Sequence, residues 1–217
     1  MLPDTVLAFD TSAAHCAAAL LLPSGKVLIR REEMSKGQAE RLIPLLEELL
    51  AEAGLGWQAL TLIAVGTGPG NFTGVRISVA AARGLALALG IPAIGITALE
   101  ALAFGSEGPL LVAQDARRGS AYLQAFGPEG EAGLVSAGAL PEGFTPAPGT
   151  RVLGDLAADY ASSHGLLATE PACPLVEAIA RLALARKSAT HPRPAPFYLR
   201  GADAAPPSDP PPVILDA

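Results

Sequence analysis

The first hundred residues switch between two hydrophobic periods. Unbroken apolar runs at Val6-Leu7-Ala8-Phe9, residues 16–22 and Leu62-Ile63-Ala64-Val65 read as short buried strands. Residues 26–31, joined to the second run by the turn Pro23-Ser24-Gly25, complete a hairpin meander. From residue 38 to 53 the period lengthens. Leu42, Leu46, Leu49 and Ala53 line one helical face, and Ile43, Leu45 and Leu50 widen it. Pro44 is expected to begin that helix or kink it, since it has no N–H to donate and crowds the preceding turn. A strand at 62–66, a helix at 74–89 and a strand at 93–97 follow. The order βββαβαβ predicts a mixed α/β sheet covered by helices.

The second half repeats the opening. Leu110-Leu111-Val112-Ala113 runs into Gln114-Asp115, residues 121–126 form the next strand, and 151–155 another. Between them, residues 127–149 are rich in Gly and Pro and read as loops around weak strands. Residues 175–186 form an amphipathic helix. A strand ending in aspartate opens each half, at Asp10 and at Asp115, so the chain reads as a degenerate duplication of one unit. The expected division is 1–98, 99–203 and a proline-rich tail, 204–217, without regular structure.

Where the fourth strand meets the second long helix, the chain reads Gly66-Thr67-Gly68-Pro69-Gly70-Asn71-Phe72-Thr73-Gly74-Val75-Arg76. Gly66, Gly68, Gly70 and Gly74 allow positive φ or close backbone approach, with Gly68 and Gly70 the expected positive-φ sites, and Pro69 stiffens the turn. Asn71 or Thr73 is placed to cap a helix starting near Gly74. A glycine turn before a helix suggests a phosphate site, yet both common patterns fail. The dinucleotide fingerprint needs glycine at Asn71, and the Walker loop needs lysine at Val75. The loop, including Phe72, Thr73 and Arg76, is therefore expected to be architectural.

The helix after the loop is apolar almost all round. Val75, Val79, Ala82, Ala86 and Leu89 share one face, Ile77, Ala81, Leu85 and Ala88 another, and Arg76 and Arg83 fill the strip between. One face belongs on the sheet. The other packs either on the helix around Leu45 to Leu50 or on a partner, and two such helices on one sheet face favour the partner. The expected docking residues are Leu42, Leu46, Ile77, Ala80, Ala81, Ala82 and Leu85.

Composition then removes several function classes. The net charge is −6, with no basic run to neutralise nucleic-acid phosphates. Cys16 and Cys173 show no C-x-x-C spacing and fit a reducing compartment. Asp4 and Asp10 interrupt the first apolar stretch, so no signal peptide is expected. Gly90 and Pro92 break the apolar stretch 85–96, so no membrane span is expected. A soluble cytoplasmic protein is the expectation. His15, His164 and His191 have no ligand spacing and read as ordinary exposed histidines, and G-x-S-x-G is absent. Asp10-Thr11-Ser12 is either a metal–phosphate contact or a hydrogen-bonded turn. Asp115-Ala116-Arg117-Arg118-Gly119 closes the equivalent strand, and there Arg117 or Arg118 reads equally as a solvated turn residue.

Taken in order, Leu7 to Ser12, the glycine loop through Arg76, Ile91-Pro92-Ala93-Ile94-Gly95-Ile96-Thr97-Ala98-Leu99-Glu100-Ala101-Leu102-Ala103, Asp115 to Gly119, and Tyr198-Leu199-Arg200 resemble the TsaB (YeaZ) family over nearly the whole chain. The resemblance implies an actin-like fold of two ribonuclease-H-like halves. It implies a noncatalytic scaffold for threonylcarbamoyladenosine synthesis in tRNA, paired with the homologous transferase TsaD and joined by the ATPase TsaE. The apolar, small-residue helix pair is expected to self-associate as a homodimer when TsaD is absent. The acidic net charge without a Lys/Arg cluster leaves tRNA to be contacted only through the complex. Asp10, Thr11, Ser12 and Asp115 then occupy degenerate phosphate-loop positions. No catalytic, cofactor or metal residue is intrinsic. ATP is used by the assembled complex, and a nucleotide at the interface shared with TsaD stays open. Many relatives carry histidine where Gln38 stands, which weakens metal binding further. Against this stand two other readings: an active actin-like enzyme such as a small-molecule kinase, and a glycoprotease-type peptidase. Thr11-Ser12-Ala13-Ala14 lacks the glycine turn the first needs, and no nucleophile or metal triad supports the second.

Overall fold

A computed structural model describes residues 4–126 and 132–200. Strands β1 (Val6–Asp10), β2 (His15–Leu21), β3 (Val27–Glu33), β4 (Leu62–Gly66) and β5 (Ala93–Ile96) form one sheet in the order β3-β2-β1-β4-β5. β1 to β3 pair antiparallel, whereas β4 and β5 run parallel to β1. The second sheet holds β6 (Leu110–Arg117), β7 (Ser120–Phe126), β8 (Ala132–Ser136), β9 (Arg151–Leu153) and β10 (Leu167–Ala168), in the order β10-β9-β6-β7-β8. Read from its other edge, this is the first sheet again, with β6 in the place of β1. The duplicated mixed-sheet α/β fold expected from the sequence is the one observed.

The first sheet is buried on both faces, and its period of two assigns each residue to one of two cores. Leu7, Phe9, Ala18, Leu20, Ile63 and Val65 meet α1 (Gln38–Glu52) and α2 (Phe72–Leu89). Val6, Ala8, Ala17, Ala19, Ala64 and Ile96 face α5 (Leu175–Arg186). The alanines on that second face let Ala178, Ile179, Ala180 and Ala183 of α5 approach closely. α5 therefore follows the second sheet in sequence but packs on the first. α3 (Ala98–Ala103) does the reverse, placing Leu99 against Leu110, Val112 and Tyr122. Both helices lie between the two sheets and touch each other. α4 (Ala157–His164) covers the far face of the second sheet through Tyr160.

Several local expectations change. α1 begins at Gln38 and runs through Pro44 in its second turn, so the proline does not start it. α2 begins at Phe72 rather than Gly74, because Asn71 Oδ1 accepts the N–H groups of Thr73 and Gly74 at 3.0 and 3.2 Å. α3, α4 and β10 were not foreseen. α3 is only six residues long, too short for a helical period to show. It is held by a reciprocal capping box between Thr97 and Glu100. The tail 204–217 lies outside the described residues, as does part of the 127–149 segment.

By length and composition α2 could cross a membrane. One face, with Val75, Ser78, Val79 and Ala82, is buried in the fold, while Ala80, Gly84, Leu87 and Ala88 are exposed. Leu42, Leu46 and Ala82, expected at a docking surface, are also core residues and unavailable to a partner. Ile77, Ala81 and Leu85 are half-buried against the α1 core, so the intrachain packing takes much of that second face. Ala80 stays exposed, in line with Gly84, Leu87 and Ala88.

Candidate functional site

The glycine loop and the end of β1 clasp each other. Asp10 is fully buried, and its Oδ2 accepts the Ser12 N–H at 3.0 Å and the Ser12 hydroxyl at 2.8 Å. Thr11 Oγ1 donates to the Gly74 carbonyl at 2.6 Å, and the Asn71 N–H donates to the Ser12 carbonyl at 2.6 Å. A β-carbon at Gly66 would strike the Asp10 carboxylate; at Gly74, the Thr11 carbonyl; at Gly70, the Ser12 carbonyl. These three glycines serve close approach. Gly68 alone in the loop has positive φ, at 88°, so Gly70 is not the left-handed position expected.

Phosphate cradles need backbone N–H groups aimed outward at a helix start. Here the N–H groups of Ser12, Asn71, Thr73 and Gly74 already have partners inside the clasp. Asp10-Thr11-Ser12 is thus a hydrogen-bonded turn in this structure. The same is true of Asp115, whose Oδ1 accepts the Arg117 N–H at 2.7 Å.

His15 is not an exposed histidine. It is 3% accessible, and its Nε2 lies 2.8 Å from Asp10 Oδ2. The antiparallel β1–β2 hairpin brings residues 10 and 15 together, and that spacing was the only signal in the sequence. Gln38, on α1, donates from Nε2 to the Met34 carbonyl at 3.1 Å, so it caps the preceding loop rather than facing a ligand set. Among the described residues no group of three or more His, Cys, Asp or Glu is placed to hold a metal ion.

The C-terminal strap, residues 191–200, returns over the loop. The Phe197 N–H donates to the Thr67 carbonyl at 2.8 Å, and Arg83 Nε to the Pro194 carbonyl at 2.6 Å. Arg76 Nε donates to the Tyr198 hydroxyl at 2.9 Å, while its guanidinium lies 3.8 Å above the Phe72 ring. Phe72 and Tyr198 stack with centroids 5.1 Å apart. The sequence singled out all three residues, but not that they form one cluster across the whole chain.

Between the clasp, α1 and the β6–β7 turn lies a cleft of about 670 Å³. Ser12, His15, Gln38, Gln114, Asp115, Asp155 and four arginines, Arg31, Arg117, Arg118 and Arg200, line it.

Two five-stranded mixed sheets of one topology, each opening on a strand that ends beside an aspartate turn, define a duplicated ribonuclease-H-like protein of the actin-like class. Known proteins narrow this. The family described as "TsaD: tRNA N6-adenosine threonylcarbamoyltransferase" matches residues 29–138. The tRNA threonylcarbamoyladenosine biosynthesis protein TsaB of Haemophilus influenzae is 41% identical over 99 residues, which are 46% of this chain and 42% of that protein. An uncharacterised protein of Mycobacterium bovis is 35% identical over 213 residues, covering 94% of this chain and 95% of its own. The YeaZ structure from Pseudomonas aeruginosa superposes with a TM-score of 0.69 at 30% identity, covering 84% of this chain and 93% of that one. The chain belongs to the TsaB/YeaZ family. The aligned part is less than half of the H. influenzae protein's length.

Proposed function

We propose that this chain is a noncatalytic scaffold that pairs with a TsaD-type transferase, in a complex that makes threonylcarbamoyladenosine in tRNA. The observation that carries this reading is the outer stripe of α2. Ala80, Gly84, Leu87 and Ala88 lie on one exposed line, and Leu87 is 86% accessible. Small side chains let a partner helix approach closely, and a large aliphatic side chain left in water is the residue that such docking would bury. In this reading the docking line is Ala80, Gly84, Leu87 and Ala88, flanked by the half-buried Ile77, Ala81 and Leu85. A homologue with the same helix layout, or a second copy, meets the same line, so homodimer and heterodimer compete.

The scaffold role is supported by the closed clasp. Asp10, Thr11 and Ser12 are engaged in holding the glycine loop, which leaves the usual phosphate-loop groups without a chemical task. In the proposal the loop positions α2 and Arg76, TsaE joins the pair as its ATPase, ATP is used by the assembled complex in the cytoplasm, and tRNA is contacted through TsaD.

Reconstitution with TsaD, TsaE, the threonylcarbamoyl-adenylate synthase, ATP, threonine, bicarbonate and tRNA tests this. Modification is expected only when this chain is present. Modification by this chain and the adenylate alone would overturn the scaffold reading, and unchanged modification without it would overturn membership of the complex.

A further inference from the structure

We infer that the outer face of α1 and α2 docks a second copy of this chain in one orientation, with α1 of each copy lying over α2 of the other. Glu40 and Glu47 of one copy then meet Arg76 and Arg83 of the other, twice across the two-fold axis. The inference rests on the reading of α2 as a docking face and adds what selects the occupant. The first observation is a pair of charge rows. Seven residues make nearly two helical turns, so Glu40 and Glu47 stand in line on α1, as Arg76 and Arg83 do on α2. All four are exposed. Glu48 and Glu52 of α1 turn to Arg41 and Arg30, whereas Glu40, Glu47, Arg76 and Arg83 form no ion pair among the described residues.

The second is how the basic row is held. The C-terminal strap reaches both of its members, with Arg76 Nε donating to the Tyr198 hydroxyl at 2.9 Å and Arg83 Nε to the Pro194 carbonyl at 2.6 Å. The Phe72 ring lies 3.8 Å from the Arg76 guanidinium. Each of these bonds uses the Nε–H and leaves the terminal Nη groups, which pair well with a carboxylate. A guanidinium fixed before docking loses less freedom on pairing than a free one.

The third is where the rows lie. The Glu40–Glu47 row stands opposite the buried Leu42 and Leu49. Ala81 and Leu85 turn toward the α1 core, and the Arg76–Arg83 row lies on the other side of α2, beside the strap. The outer face is therefore acidic along α1 and basic along α2, with Ile43, Ala80, Gly84 and Leu87 exposed between. A two-fold dimer uses one patch twice. An axis running along the helices brings each acidic row onto a basic one. An axis running across them sets like charges opposite each other, which opposes association. The face is complementary to itself in the first arrangement alone.

Sedimentation of the full chain over a concentration series, at low and at high salt, tests this. The wild type is expected to dimerise, and more weakly at high salt. Two charge-reversed variants, Arg76→Glu with Arg83→Glu and Glu40→Arg with Glu47→Arg, should each raise the dimer dissociation constant about ten-fold or more. An equimolar mixture of the two should recover wild-type association, because each then offers the charge that the other lacks. All four positions are on the surface, and thermal melts check that both variants fold. A dimer unaffected by either reversal, or losses that mixing does not recover, would overturn the charge pairing while leaving the docking face standing. A wild-type chain that stays monomeric yet captures a TsaD-type transferase would overturn the second copy as occupant. One that does neither would overturn both this inference and the docking face.

Discussion

The Thr11 hydroxyl donates a 2.6 Å hydrogen bond to the carbonyl of Gly74, and a β-carbon on Gly74 would run into the Thr11 carbonyl. The first turn of α2 is thereby locked to the end of β1, and Ser78 Oγ adds a second tie to the Gly66 carbonyl at 3.2 Å. Position 74 has no slack, because the atoms it would displace are backbone. Gly74→Ala is expected to cost about 2 kcal/mol or more through overpacking. Gly84, in the same helix, has open space around its β-carbon position. Gly84→Ala should stabilise the monomer by about 0.5–1 kcal/mol. Urea unfolding of both variants measures the contrast, and equal effects would remove the special role of the clasp.

Glu100 links α3 to α5. It caps α3 reciprocally with Thr97 and accepts from Arg186 of α5 at 2.8 Å. Burial raises its pKa, but the hydrogen bonds and charge from Arg186 and Thr97 outweigh that and hold it below its ordinary 4.5. A carboxylate with a lowered folded pKa stabilises the fold above 4.5, and that contribution is lost as the pH falls through the folded value. Glu100→Gln should therefore cost roughly 1 kcal/mol at pH 7, with the gap to the wild type narrowing as the pH falls below 4.5. Melting curves across that range give the answer; a gap independent of pH would assign the effect to packing.

Cys16 is fully buried on β2, and burial pushes its thiol up to about 11. The thiolate is the reactive form, so Cys16 should stay unmodified by iodoacetamide at pH 8 in the native protein and react once unfolded. Peptide mapping after timed labelling checks this. Native labelling at Cys16 would mean that the sheet opens locally.

Ala82 and Leu87 separate fold from docking. Ala82 is fully buried and Leu87 is 86% exposed. Ala82→Glu should destabilise by about 3 kcal/mol or more, through a buried unpaired charge. Leu87→Glu should fold normally, sediment as a monomer and fail to capture TsaD in a pull-down. A folded Leu87→Glu protein that still dimerises and still captures TsaD would place the interface elsewhere.

Short-range chemistry in the sequence was enough to set the order of the first seven elements, the extent of α5, a cap at Asn71 or Thr73 and the need for glycine at the loop. Each depends on neighbours within a few residues: a period of two or 3.6, a capping side chain, a missing β-carbon. The Phe72–Arg76–Tyr198 cluster, the Arg83–Pro194 tie and the exchange of α3 and α5 between the sheets depend on segments about a hundred residues apart, which no local pattern encodes. The same limit explains the errors. Gly70 needs its lack of a side chain because Ser12 presses on it, not because of its own φ. Leu42, Leu46 and Ala82 looked available because an apolar helix face does not say what covers it; only the packed sheet decided that. His15 looked ordinary until the hairpin placed it on Asp10.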